Sequence, residues 1–269
     1  FSRGIGGKTA LDYLIKVKEL PFTEAVERIV GRAAERPSVF HARAQPEKPK
    51  TLLLPPKSNS NTRVIAYLKS RGIDGGLIEQ CIRSGQLYES LPYHNTVFVG
   101  MDRNGTPRYA CLRGIGTDFK GEATGSDKRF SFALPATGES RMLCVFESAI
   151  DLLSYATMAQ AGGLSWRSQH LLSLAGVYKP QKETQEHRLP LALTQYLKDH
   201  AEIKTICLCL DNDMTGRSAT EAIRQQLAER YKVASAFPRQ GKDYNDWLCI
   251  RMGLQPAKEN PMTERSFAR

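Results

Sequence analysis

The sequence predicts an α/β protein: a parallel sheet flanked by helices over residues 141–250, preceded by a small α+β module over 62–140 and a short helical segment at the start. Three observations carry that expectation. From Arg141 onward short apolar runs alternate with helix-length stretches, residues 95–113 alternate apolar and polar positions around a Gly-containing turn, and residues 9–30 space their apolar side chains at helical intervals.

In order along the chain, Thr9-Ala-Leu-Asp-Tyr-Leu-Ile predicts one short helix, and Thr23-Glu-Ala-Val-Glu-Arg-Ile-Val a second, with Thr23 as N-cap and Gly31 as its end. Residues 32–61 are rich in Pro, Lys, Arg, Ser and Asn, with few apolar positions besides Leu52 to Leu54, and predict a linker. A helix from Thr62 closed by Gly72 and another over Gly76 to Ser84 follow. The alternating stretches Asn95–Gly100 and Pro107–Arg113, joined by Asp102-Arg-Asn-Gly-Thr, predict a hairpin. The Gly-rich remainder of this module holds Arg113, Lys120, Lys128 and Arg129 with Phe119 and Phe130 interleaved, a set that can neutralise phosphates and stack on bases. A solvated loop with two aromatic anchors fits the same residues.

Met142-Leu-Cys-Val-Phe is a continuous apolar run of the kind buried on both faces in a parallel sheet, and Ala149 to Ala161 reads as helix. The strand His170-Leu-Leu-Ser-Leu, a helix near Leu191 to His200, the strand Lys204 to Leu210, a helix from about Thr215 to Arg230 and the strand Lys232 to Phe237 complete four strands in βα alternation. Residues 251–269 form a tail.

Ligands of open parallel sheets sit at the carboxyl ends of the strands. Glu147 follows the first strand, Asp211 and Asp213 the third, Asp243 and Asp246 the fourth, and Asp151 lies one helical turn after Glu147. Each acid could simply cap a helix. Together they would repel one another unless a cation neutralised them, and an all-oxygen set suits magnesium, which shares its shell with substrate phosphate.

Composition sets the outer limits. The 269 residues are 41% hydrophobic, enough for packed cores, and no run approaches the roughly 18 to 20 apolar residues of a membrane span. With no signal-like start, the expected location is the cytoplasm. Net charge is +10; residues 1–140 carry 21 Lys/Arg against 14 Asp/Glu, and residues 141–269 carry 17 against 14, so the first half is the better candidate for touching phosphate. Six scattered cysteines read as reduced, small apolar residues; Cys207 and Cys209 share a strand face, but no second Cys/His pair at zinc spacing follows. The chain begins with Phe1, so a fragment of a longer protein is expected.

The segments Phe146-Glu-Ser-Ala-Ile-Asp151, Leu210-Asp-Asn-Asp-Met-Thr-Gly216 and Lys242-Asp-Tyr-Asn-Asp246 resemble, in order, the motifs of the Toprim domain shared by bacterial-type primases, topoisomerases and some nucleases. Ser148 stands where primases usually carry Gly. The resemblance implies Glu147 as general acid/base or metal ligand, Asp211 and Asp213 as magnesium ligands, and Asp151 and Asp243 as further members of the site, Asp151 on the catalytic and Asp243 on the metal-binding side. Manganese could replace magnesium. Upstream, Tyr67-Leu-Lys-Ser-Arg-Gly, the Asn95–Gly100 strand and Lys120-Gly-Glu-Ala-Thr-Gly-Ser are similar to the module preceding Toprim in primases, and more closely to a domain of uncharacterised function ahead of Toprim in mobile-element proteins. Residues 1–31 resemble the helical tail of a primase zinc-binding domain; its zinc ligands would lie before Phe1.

These resemblances imply a primase-like, magnesium-dependent nucleotidyltransferase acting on DNA in replication or transfer of a mobile element, using single-stranded DNA and nucleoside triphosphates, with a helicase or relaxase as protein partner and no membrane contact. A Toprim nuclease and a non-catalytic DNA-binding accessory protein are the alternatives. A topoisomerase would need a Tyr nucleophile domain, and a Rossmann-type fold a Gly-rich turn after the first strand, where Phe146-Glu-Ser-Ala-Ile stands instead.

Overall fold

A computed structural model describes residues 10–16, 51–174 and 189–256, with single positions 18, 20, 24, 25, 28 and 176. The chain divides into two compact units, Phe1–Lys48 and Pro49–Arg269. In the first, helix α1 (Ala10–Lys16) forms where the Leu11, Leu14, Ile15 spacing predicts it. Most of the expected helix over 23–30, the part of the expected linker over 32–50, and residues 257–269 of the expected tail lie outside the described residues.

Residues 51–61, expected as the end of the linker, instead run against a sheet. Leu53 N–H donates to Thr124 O at 2.9 Å and Leu91 N–H to Pro56 O at 2.8 Å. Leu52 and Leu54 pack on the cluster of Tyr88, Val97, Val99, Ala110, Leu112 and Ala123. The alternation of Leu52 and Leu54 puts both side chains on the sheet-facing side of the segment.

Helices α2 (Thr62–Ser70) and α3 (Gly75–Arg83) follow, the second capped by Asp74, which accepts from Leu77 N–H at 2.9 Å. An antiparallel sheet is formed by β1 (Leu87–Glu89), β2 (Thr96–Met101), β3 (Pro107–Arg113) and β4 (Lys120–Glu122), in that spatial order. The β2–β3 turn closes as expected: Asp102 Oδ1 accepts from the N–H groups of Asn104 and Thr106, and Gly105 has φ +74°.

The second sheet contains β5 (Ala133–Leu134), β6 (Met142–Phe146), β7 (His170–Ser173), β8 (Thr205–Leu208) and β9 (Lys232–Ser235), in the order β5-β7-β6-β8-β9. The four expected strands are parallel, and β5 adds an antiparallel edge beside β7. Helices α4 (Ala149–Ala161), α5 (Leu191–Asp199), α6 (Met214–Leu227) and α7 (Tyr244–Arg251) flank it. The period-two rule is visible in β6: Leu143 and Val145 enter one apolar cluster with residues of α5 and α6, while Cys144 and Phe146 enter the other with residues of α2, α3, α4 and α7. That division explains why β6 reads as an unbroken apolar run.

Helix α4 is buried nearly all round, including Asp151, Ser154 and Thr157, since the second sheet, the first module and α7 all pack against it. Asn245 of α7 stitches these parts together. Its Nδ2 donates to Arg71 O (2.9 Å) and Ser154 Oγ (2.8 Å), and its Oδ1 accepts from Arg71 Nε (2.5 Å). Substituting Asn245→Ala strips partners from buried polar groups and is expected to cost about 1–3 kcal/mol in urea unfolding with an unchanged m-value.

Candidate active site

The parallel strands all deliver their carboxyl ends to one edge, and three of them are followed by helices that begin there. Ser148 caps α4, with its Oγ accepting from Asp151 N–H at 3.2 Å. Asp213 caps α6 by accepting from Gly216 N–H at 2.8 Å, and Asp243 caps α7 by accepting from Asp246 N–H at 2.7 Å. Capping therefore explains one oxygen of each aspartate. Their second oxygens are left for other work.

Glu147, immediately after β6, accepts from Asp211 N–H through Oε1 at 3.2 Å, which binds the first acid to the β8 exit. Asp211 Oδ2 and Asp213 Oδ2 lie 3.9 and 3.6 Å from Lys242 Nζ. Lys242 in turn is held by the same network, its N–H donating to Asp246 Oδ2 at 3.1 Å and its carbonyl accepting from Asn212 N–H at 2.7 Å. Gly216 is required here by space. A Cβ on it would stand 2.9 Å from Glu147 Oε1 and closer still to the Asp211 carbonyl.

Asp151 sits deeper. Its Oδ2 accepts from Ser148 Oγ at 2.6 Å and its Oδ1 from Asn245 N–H at 3.2 Å, so protein donors occupy both oxygens. The sequence expectation of a catalytic Asp151 thus meets a buried, fully bonded carboxyl beside the acids at the edge.

The electrostatics report crowding. Burial, reinforced by Asp151, Glu147 and Asp243, pushes the Asp211 carboxyl up to about 8 against the pull of Lys242. Burial likewise raises Glu147, with Asp213 and Asp243 adding to it, and raises Asp243, with Asp246 adding. Asp151 is raised by burial and then by Asp243. Lys242 and, at Asp243, Arg71 pull the other way without offsetting the rise.

The donor set fits a hard divalent cation: oxygen ligands only, several of them, with an ammonium standing beside two. The carboxylates are drawn to one edge without being clamped together. Among the described residues, the sets whose three ligand atoms lie within 4.8 Å of one another are Cys144/Cys207/Cys209 and His170/His200/Glu202, neither of them at this edge.

The four expected nucleic-acid-binding residues divide. Arg113 and Lys120 are register partners across β3 and β4, and both line a cavity of about 280 Å³ together with Tyr109, Phe132, Ser148 and Ile150. That cavity opens onto the N-terminus of α4, one residue beyond Glu147. Lys128 is engaged by Glu122 at 3.0 Å, and Arg129 forks onto Asp127 at 2.6 Å, so both spend their charge locally. Lys242, Asn245 and Gly216 also shape the site. Lys242 carried a usable signal in the sequence, as a base directly ahead of Asp243 and Asp246.

Comparison with known families fits this geometry. Residues 144–248 match a family described as Toprim-like, and residues 66–138 match one described as protein of unknown function (DUF3991). The chain carries a Toprim-like domain preceded by a DUF3991 domain. The 65 kDa protein of Zymomonas mobilis is 26% identical over 212 residues, covering 74% of this chain and 33% of that protein. The uncharacterized protein pXO2-78 of Bacillus anthracis is 25% identical over 236 residues, covering 82% of this chain and 64% of that protein. The chain thus spans about a third and just under two thirds of these relatives' lengths. Solved structures similar to it include the primase fragment of the bacteriophage T7 primase-helicase (TM-score 0.46, 19% identity, 69% of each chain) and a DNA primase domain from Pseudomonas aeruginosa (TM-score 0.46, 14% identity, 70% of this chain and 67% of that one).

The crowding has a measurable sign. Asp211 ionises near its ordinary 3.8 when unfolded and about 8 when folded, so the folded state holds the extra proton and its advantage is lost as pH rises from about 4 to 8. In metal-free protein, the Tm of Asp211→Asn is expected to fall less over that window than that of the parent, and Mg2+ is expected to raise the parent's Tm at pH 8 more than the variant's.

Proposed function

We propose that this chain is a primase-like, magnesium-dependent nucleotidyltransferase that joins nucleoside triphosphates on single-stranded DNA. The convergence of Glu147, Asp211, Asp213 and Asp243 at the carboxyl edge of the Toprim-like sheet, next to the cavity lined by Arg113 and Lys120, is the observation that carries it. Magnesium, or manganese in its place, would be held by Glu147, Asp211, Asp213 and Asp243 and would neutralise charge building on the transferring phosphate.

The chain's own groups divide the remaining work. Arg113 and Lys120 offer two adjacent positive charges to the phosphates of template or nucleotide. Glu147, with Oε1 accepting from Asp211 N–H, would serve the cation through its other oxygen, and solvent would take the proton of the attacking hydroxyl as pyrophosphate leaves. Asp151, bonded on both oxygens, is a positioning residue that holds the start of α4 and α7. Lys242 would screen Asp211 and Asp213 in the metal-free site, a charge the cation would replace. The surroundings belong to the same proposal: the cytoplasm, the replication or transfer of a mobile element, and a helicase or relaxase alongside. Among the described residues no helix is long and apolar enough to cross a membrane.

With Mg2+, single-stranded DNA and labelled nucleoside triphosphates, the full chain is expected to make oligonucleotides, and Glu147→Gln and Asp211→Asn each to lower the rate about 100-fold or more, equivalent to about 2.7 kcal/mol. Shortening of the DNA strand in place of synthesis, or turnover in either variant equal to the parent's, contradicts the assignment. For DNA binding, Lys120→Ala is expected to reduce the slope of log affinity against log salt by about 1, while Lys128→Ala changes it little.

A further inference from the structure

The opposite edge of the same sheet, where the parallel strands begin, carries a second constellation that the proposed chemistry does not use. His170 opens β7, His200 ends α5, and Glu202 lies in the turn leading to β8. One donor atom from each lies within 4.8 Å of the other two. His200 Nδ1 is 3.0 Å from Glu202 Oε1, and His170 Nε2 is 3.8 Å from the same oxygen. Tetrahedral zinc, with bonds of about 2.0–2.1 Å, would set its ligand atoms about 3.3 Å apart, between those two distances.

An independent observation points to a ligand. The His170 side chain is only 4% exposed, yet its Nε2 has no hydrogen-bond partner among the described residues. A buried polar atom in that state is rare and calls for a partner. The other ring nitrogen, Nδ1, is 3.0 Å from Tyr196 Oη, the kind of outer contact that orients a metal-bound histidine. Ala136 N–H also approaches Nδ1, at 3.4 Å, a marginal contact whose loss costs little when that nitrogen carries the proton. A cation is also well placed at the carboxyl end of α5. His200 and Tyr196 also line a cavity of about 390 Å³.

We propose that His170, His200 and Glu202 form a zinc-class transition-metal site that ties the start of β7 to the α5–β8 turn, separate from the acidic edge. Its donors are two imidazoles and one carboxylate, a set suited to Zn2+ or Co2+ and poorly suited to Mg2+. The site holds whether or not the chain synthesises nucleic acid.

The test is titration of the untagged full chain with Zn2+ and with Co2+ in excess Mg2+. One saturable equivalent is expected, with the strong visible absorption of tetrahedral Co2+. His200→Ala and Glu202→Gln should each weaken it about 100-fold or more, and Tyr196→Phe about 10- to 100-fold. Asp211→Asn and Cys207→Ser should leave it unchanged. Glu202 is 48% exposed, so Glu202→Gln folds as the parent does and decides the matter even if a histidine variant does not. No saturable binding by the parent, or binding indifferent to Glu202→Gln and His200→Ala, overturns the site.

Discussion

Excess negative charge at one edge of a parallel sheet is the constraint on which the rest of this structure depends. Glu147, Asp211 and Asp243 are all pushed toward protonation by burial and by neighbouring acids, and Lys242 Nζ stands near Asp211 and Asp213. An arrangement of that kind is costly to fold, because each carboxylate loses water without gaining full compensation. The surrounding structure spreads the cost. N-capping satisfies one oxygen of Asp213 and one of Asp243, and a glycine at 216 lets Glu147 reach the Asp211 amide.

The preceding module shares in the same constraint. Helix α4 begins at the acidic edge and runs buried between the module and the second sheet, so its N-terminal residues belong to both. Asn245 bonds to Arg71 of the module, to Ser154 of α4 and, through its amide, to Asp151. The pair Arg113 and Lys120, set side by side by the β3–β4 register, reaches the cavity at the start of α4. Basic and acidic parts are thereby held in fixed relation by packing across one helix.

Much of this was legible in the sequence, for identifiable reasons. Strands buried on both faces leave continuous apolar runs, so β6 and its parallel neighbours could be read directly, and carboxylates just after such runs must lie at their carboxyl ends. Strands β1, β4 and β5 are two or three residues long and leave no periodicity to detect. Helix α7 went unread because its first residues, Asp243 to Asp246, look like an acidic loop until their capping bonds are seen. Lys128 and Arg129 look like Arg113 and Lys120 in composition, and only their pairing with Glu122 and Asp127 separates them. His170, His200 and Glu202 come from two segments about thirty residues apart, with no motif spacing to join them.

In the proposed function the acidic edge is a cation site, with Lys242 Nζ near Asp211 and Asp213 in the metal-free state. A crystal structure of the full chain soaked in Mn2+, with anomalous diffraction, tests it most directly. An anomalous peak bonded to Glu147 and to Asp211 or Asp213 is expected, with Lys242 Nζ displaced from both aspartates. Lys242 still seated between them, and no peak at that edge at saturating Mn2+, would contradict it.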